Sequence, residues 1–220
     1  MSRRLNIITK DVFITAIIML WSCSKDFMLE PELLSETPIR LEASYEFSPT
    51  RTVTNLQNRS FEQGAIVNVY IKTHESPAKT VGRTPIAYTA SEAVNNINTL
   101  TPDNQTYYPA NVNLDIYAVY PNINASGNSV SFTVDDAQDE NTYMTNDLMY
   151  ANISNQPRTD QPVRLQFSHK MAKFIVNVTL EEELTLTSIN LLNFNRTAVL
   201  TTSTGVLGTL SNQGSIAIEN

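Results

Sequence analysis

From Ile39 onward apolar side chains recur at every second position, and that period restricts the chain to strands. In "IRLEASYEFS", Ile39, Leu41, Ala43, Tyr45 and Phe47 share one face, and Arg40, Glu42, Ser44, Glu46 and Ser48 share the other. Such alternation describes a strand with one face in a core and the other in water. Pro49 ends it. "GAIVNVYIKT" alternates again, with Ala65, Val67, Val69 and Ile71 set against Ile66, Asn68, Tyr70 and Lys72. In "NVNLDIYAVYP" the apolar set is Val112, Leu114, Ile116, Ala118 and Tyr120, with Pro121 as the stop. Val130, Phe132 and Val134 form a further set, after a Gly127-Asn128 pair that predicts a hairpin-like turn. "DLMYANI" predicts a short strand, and "DDAQDENTYMTND" an acidic loop.

"VRLQFSHKMAKFIVNVTL" adds a phase problem. Val163, Leu165 and Phe167 are odd-numbered, whereas Ala172, Phe174, Val176, Val178 and Leu180 are even-numbered. A flat strand cannot keep both sets on one face. A β-bulge or bend around His169-Lys170-Met171 is therefore expected. "ASEAVNNINTL" is the one window with helical spacing, at Ala93, Ile97 and Leu100, and is expected as a short helix or a loop because its two adjacent Asn residues are poor helix formers. Short β-like pieces separated by Gly, Ser and Asn continue to the end. The expected fold class is mainly β, a β-sandwich or open barrel with few short helices.

The chain has 220 residues and is 41% hydrophobic, enough for a substantial core. Its net charge of −7 disfavours nucleic acid as a partner and gives no reason for adsorption to an anionic membrane surface. A single cysteine excludes an intramolecular disulfide and every Cys-based zinc pattern.

That cysteine has a telling position. Arg3, Arg4 and Lys10 form a basic start, followed by an apolar run from Val12 to Trp21, well short of the roughly 20 residues that span a bilayer. A basic region, a short apolar region and a small residue describe a secretory signal, although Asp11 is atypical. Leu20-Trp21-Ser22-Cys23 resembles the lipobox of bacterial lipoproteins, with Leu20 and Ser22 fitting and Trp21 bulkier than usual. The resemblance implies signal cleavage between Ser22 and Cys23 and lipidation of Cys23. Residues 1–22 are then a lipoprotein signal peptide, 23–37 a polar tether, and 38–220 a β-domain. Lys25 and Asp26, just past the cysteine, resemble the surface-export signals of Bacteroidales-type lipoproteins.

Four stretches, "SFEQGAIVNVYI", "TYYPANVNLDIYAVYP", "TNDLMYA" and "VRLQFSHKMAKFIVNV", together resemble the fimbrillin family, the type V pilins and related surface lipoproteins of Bacteroidales. Leu165, Phe167, His169, Ala172 and Lys173 match the family's Leu-x-Phe-x-His segment and the small-Lys-aliphatic strand after it. Gly64-Ala65 departs from the Gly-Asp often found there. The resemblance implies a transthyretin-like β-sandwich N-terminal domain, with the family's second domain absent or truncated here. It also implies proteolysis after an Arg, at Arg51 or Arg59, loss of the first strand, and its replacement by a strand from a neighbouring subunit.

Function is expected to be structural or accessory, in type V fimbriae on the outer membrane, with other fimbrial subunits as partners and no catalysis. The alternative is a lipid-anchored module that binds glycan or a host protein and does not polymerise. No nucleophile elbow, P-loop, dinucleotide Gly pattern or H-E-x-x-H occurs, and no cofactor or metal is expected. Asp135, Asp136, Asp139, Glu140 and Asp147 lack EF-hand spacing and are expected to be a solvated acidic loop. His74 is expected to be exposed, and His169 half-buried at the bend. Tyr107, Tyr108, Tyr117 and Tyr120 are weighed as a sugar-stacking platform and expected as strand-edge packing instead.

Overall fold

The computed structural model describes residues 36–46, 60–139, 146–172, 174, 176–179 and 186–219. Eleven strands follow in chain order: β1 Leu41–Tyr45, β2 Ile66–Thr73, β3 Ile86–Ala90, β4 Asn98–Pro102, β5 Leu114–Tyr120, β6 Ser129–Thr133, β7 Ala137–Gln138, β8 Met149–Gln156, β9 Val163–His169, β10 Ser188–Thr201 and β11 Ser211–Glu219. Seven of them form a closed barrel in the order β1-β4-β3-β2-β5-β8-β9. The other four form a sheet in the order β6-β10-β11-β7. The mainly-β expectation holds.

The period of two places the core where expected. Leu41 and Ala43 of β1, Val67, Val69 and Ile71 of β2, Leu114, Ile116 and Ala118 of β5, and Val163, Leu165 and Phe167 of β9 fill the barrel. The opposite faces of β2, β5 and β8 are not left to water. Tyr70, Val119 and Tyr150 pack there against Val130 and Phe132 of β6 and Leu200 of β10. This second layer explains why five consecutive residues of β2 are buried. It also explains Asn68, a polar residue on the outward face, whose side-chain amide donates to the Ile123 carbonyl at 2.8 Å.

Among the described residues there is no helix, so of the short helix or loop expected for "ASEAVNNINTL" the structure has the loop, a turn at Asn95-Asn96 that leads into β4. Asn95 and Asn96 adopt φ of 54° and 63°. Val94 and Ile97 exchange two backbone hydrogen bonds across them, at 2.9 and 3.0 Å. Two left-handed residues in succession make the tight turn that matches strand twist, and Asn tolerates that conformation better than most residues. The Gly127 turn does form, closing Ser126 on Ser129, but β5 and β6 do not pair across it. The chain passes there from barrel to second sheet. Within the acidic stretch, Ala137 and Gln138 form the short β7 strand beside β11.

Of the bulge or bend expected around His169-Lys170-Met171, the structure has the bend, at Met171. β9 stops at His169, opposite Met149 of β8. The odd-numbered apolar set lies inside the barrel, while Phe174, Val176 and Val178 are exposed. Phe174 meets Phe194 of β10 edge-on, with ring centroids 5.3 Å apart. The phase change marks a passage between layers, not a kink within one strand.

Gly205, at φ of 66°, shows how closely the layers meet, since a Cβ there would lie 2.3 Å from the Tyr150 ring. Gly127, at φ of 62°, faces open space. Gly205→Ala is expected to cost about 2–4 kcal/mol, from left-handed strain plus overpacking. Gly127→Ala carries the strain alone, about 1–2 kcal/mol. Urea denaturation of both variants measures the difference.

Candidate functional site: the seat of the first strand

β1 closes the barrel. It runs antiparallel to β4, with Leu41 opposite Leu100 and Ala43 opposite Asn98. It runs parallel to β9, with Leu41 beside Val163, Ala43 beside Leu165 and Tyr45 beside Phe167. Backbone bonds continue past both ends of the strand. The Val163 N–H donates to the Arg40 carbonyl and the Glu46 N–H to the Phe167 carbonyl, both at 2.8 Å. Upstream, the Ile39 N–H donates to the Thr106 carbonyl at 2.8 Å.

The pockets under β1 are uneven. Ile39, Leu41 and Ala43 are at most 1% exposed. Opposite Ala43, the buried Asn98 side chain accepts from the Phe61 N–H at 2.9 Å and donates to the carbonyls of Phe61 at 2.9 Å and Ser91 at 2.8 Å. This one amide clamps Phe61 in place. Phe61 then receives Tyr45 edge-on at a centroid distance of 5.0 Å, and packs on Tyr120 and Phe167 at 4.9 Å each. On the other side Tyr45 meets the His169 ring at 5.5 Å. His169 is half-buried, as expected, and its Nδ1 lies 2.6 Å from Asp147 Oδ2. Burial, and then the neighbouring Tyr120, Asp147 and Glu62, push the Tyr45 phenol well above its ordinary value.

The remaining predicted residues sit as follows. Ser22, Cys23, Arg51 and Arg59 lie outside the described residues, as do Phe47, Pro49 and Glu140. His74 is exposed, as expected, with Nδ1 2.8 Å from Asp115 Oδ1. Burial pushes the Asp115 carboxyl up, but hydrogen bonds from the Asn155 N–H, the Ser154 hydroxyl and His74 outweigh it and hold it below the usual value. The tyrosines do not converge on a sugar platform: Tyr108 and Tyr120 pack on the barrel core, and Tyr117 on the second core. Among the acidic residues, Asp136 faces Arg196 at 3.6 Å and Asp147 faces His169. Among the described residues no group of three or more metal-ligating side chains forms. Phe61 and Asn98 were not singled out by the sequence. Phe61 is a lone aromatic after a polar stretch, and Asn98 looks like a turn residue.

The fimbrillin-like family model matches residues 50–220. This chain belongs to the fimbrillin-like family. The match takes in both strands that hold β1, while β1 itself precedes it. A crystal structure of a "putative cell adhesion protein" from Bacteroides uniformis matches with a TM-score of 0.54 and 19% identity, covering 83% of this chain and 70% of that one. At that identity the likeness concerns the fold alone. No curated protein matches the chain. Membership of the fimbrillin-like family supports a fimbrial role and a cell-surface location.

Two outcomes test this geometry. Asn98→Ala strands the Phe61 N–H and two carbonyls and is expected to cost about 2–4 kcal/mol in urea denaturation. Buried phenols such as those of Tyr45, Tyr88 and Tyr150 have raised folded values. The stability they contribute is complete below the unfolded tyrosine value of about 10 and is lost as pH rises beyond it. The part of the phenolate absorbance that comes from these buried side chains is therefore expected to rise together with unfolding above about pH 10; complete phenolate formation without unfolding would contradict the burial.

Proposed function

We propose that this protein is a surface-exposed lipoprotein of the outer membrane that serves as a structural or accessory subunit of type V fimbriae. In this reading residues 1–22 are the signal peptide, Cys23 carries the lipid and residues 23–37 are the tether. Each acyl CH₂ buried in the bilayer contributes about 0.8 kcal/mol, so two or three chains hold the protein firmly. Cleavage after Arg51 or Arg59 separates β1 from the body. A strand from a neighbouring subunit then takes its seat.

One observation carries the reading. β1 is joined to β2 only through the segment that contains both arginines, and it fills a continuous slot between β4 and β9. Strand addition needs such a slot: two free backbone edges for hydrogen bonds and a row of pockets for alternate side chains. Family membership supports association with other fimbrial subunits.

The mass of the mature N-terminus tests anchoring and processing together. Membrane-associated monomer is expected to begin at an acylated Cys23, and assembled material at the residue after Arg51 or Arg59. Assembled material that still begins at Cys23 would contradict strand loss. A Cys23→Ser variant is expected to leave the membrane fraction, and its retention would contradict the anchor.

A further inference from the structure

We propose that the seat of β1 selects its occupant by a pattern of side chains: aliphatic, aliphatic, small and aromatic at alternate positions, in a strand running parallel to β9. The inference rests on the strand-replacement reading above and specifies the partner that reading requires.

The pattern comes from the walls of the slot. Ile39 and Leu41 are each 1% exposed, and so define two closed aliphatic pockets. The third position admits only a small residue. Ala43 is fully buried between Leu165 on one side and Asn98 on the other. Asn98 cannot yield without breaking its three bonds to Phe61 and Ser91. The fourth position is an aromatic cage. Phe61 and His169 each meet Tyr45 edge-on, and Phe61 is backed by Tyr120 and Phe167. Edge-to-face contacts of this kind reward a ring beyond the area it buries. The small pocket and the cage are coupled, because the amide that limits the first also fixes Phe61 in the second. Phe61 lies after both Arg51 and Arg59, so cleavage at either leaves the cage with the body.

Direction is set as well. An occupant that ran the opposite way would exchange the parallel ladder on β9 for an antiparallel one and the antiparallel ladder on β4 for a parallel one, whose bonds are spaced differently. It would also bring its aromatic to the wrong end of the slot.

β5 carries the same order of side chains, Leu114, Ile116, Ala118 and Tyr120, but lies in the barrel between β2 and β8. Outside the barrel, no described strand of this chain carries it. β11 places Gly214 before Ile216 and Ile218, and β10 follows Ile189 and Leu191 with a bulge and Phe194. The pattern therefore fixes the chemistry of the occupant: a strand that carries two aliphatic side chains, a small one and an aromatic at alternate positions.

The test uses the full chain with a site-specific protease sequence in place of residues 52–58. After the cut, labelled peptides are offered and their capture, with release of the N-terminal fragment, is followed by fluorescence anisotropy and native mass spectrometry. The parent peptide spans residues 38–46. Its Tyr45→Ser and Ala43→Leu versions are each expected to bind about tenfold or more weakly, and its Tyr45→Phe version within about fivefold. Capture of the parent with equal capture of the Tyr45→Ser and Ala43→Leu peptides would overturn the selection rule and leave strand replacement standing. Failure to capture the parent at all would overturn strand replacement, and the rule with it.

Discussion

The barrel depends on one strand being bonded on both sides at once. β1 offers its even-numbered backbone groups to β9 and its odd-numbered ones to β4, and without it neither edge has a partner. Antiparallel neighbours alone cannot supply this closure, because β9 arrives at the seam running in the same direction as β1. A strand placed there completes the sheet, and under the proposed function it is also the element that a cut in one connecting segment makes exchangeable. Exposed sheet edges recruit other strands, so under that proposal the same hydrogen-bond demand that stabilises the monomer would make a vacated seat a receptor.

The second layer makes this arrangement tolerable. Burial of Tyr70, Val119 and Tyr150 beneath β6 and β10 ties β2, β5 and β8 into a two-sided core that does not involve β1. The β2, β5 and β8 strands are thus held from both faces, whereas β1 is held from one face and by its edges. Stability in a structure of this kind is not uniform, and elements with fewer packed neighbours open at lower cost. The Asn98 clamp adds local rigidity where it matters, since Phe61 keeps its place through backbone bonds that do not depend on β1.

Much of the barrel was legible in the sequence because alternation survives wherever one face meets the core. The inward residues of β1, β2, β5 and β9 could be named from parity alone. The order of strands could not, since β1 joins β4 and β9, which are distant in sequence, through backbone bonds that leave no side-chain signature. The turn at Asn95-Asn96 was obscured by a chance helical spacing at Ala93, Ile97 and Leu100. At His169 the change of parity was real, but its cause was a change of layer, which a one-dimensional pattern cannot distinguish from a bulge. Asn98 was invisible for a further reason. A buried amide is acceptable only when its partners are all present, and those partners, Phe61 and Ser91, are fixed by the fold.

The most direct measurement is to lock the strand in place. Glu42 of β1 and Thr99 of β4 are cross-strand partners on the outward face. A Glu42→Cys, Thr99→Cys variant, cut between residues 52 and 58, is assayed for capture of the peptide spanning residues 38–46 before and after reduction. The account predicts no capture while the disulfide is closed and recovery of the cut protein's normal capture once it is reduced. Capture that is undiminished with the disulfide closed would mean that incoming strands bind elsewhere, and would contradict the central role given to this seat.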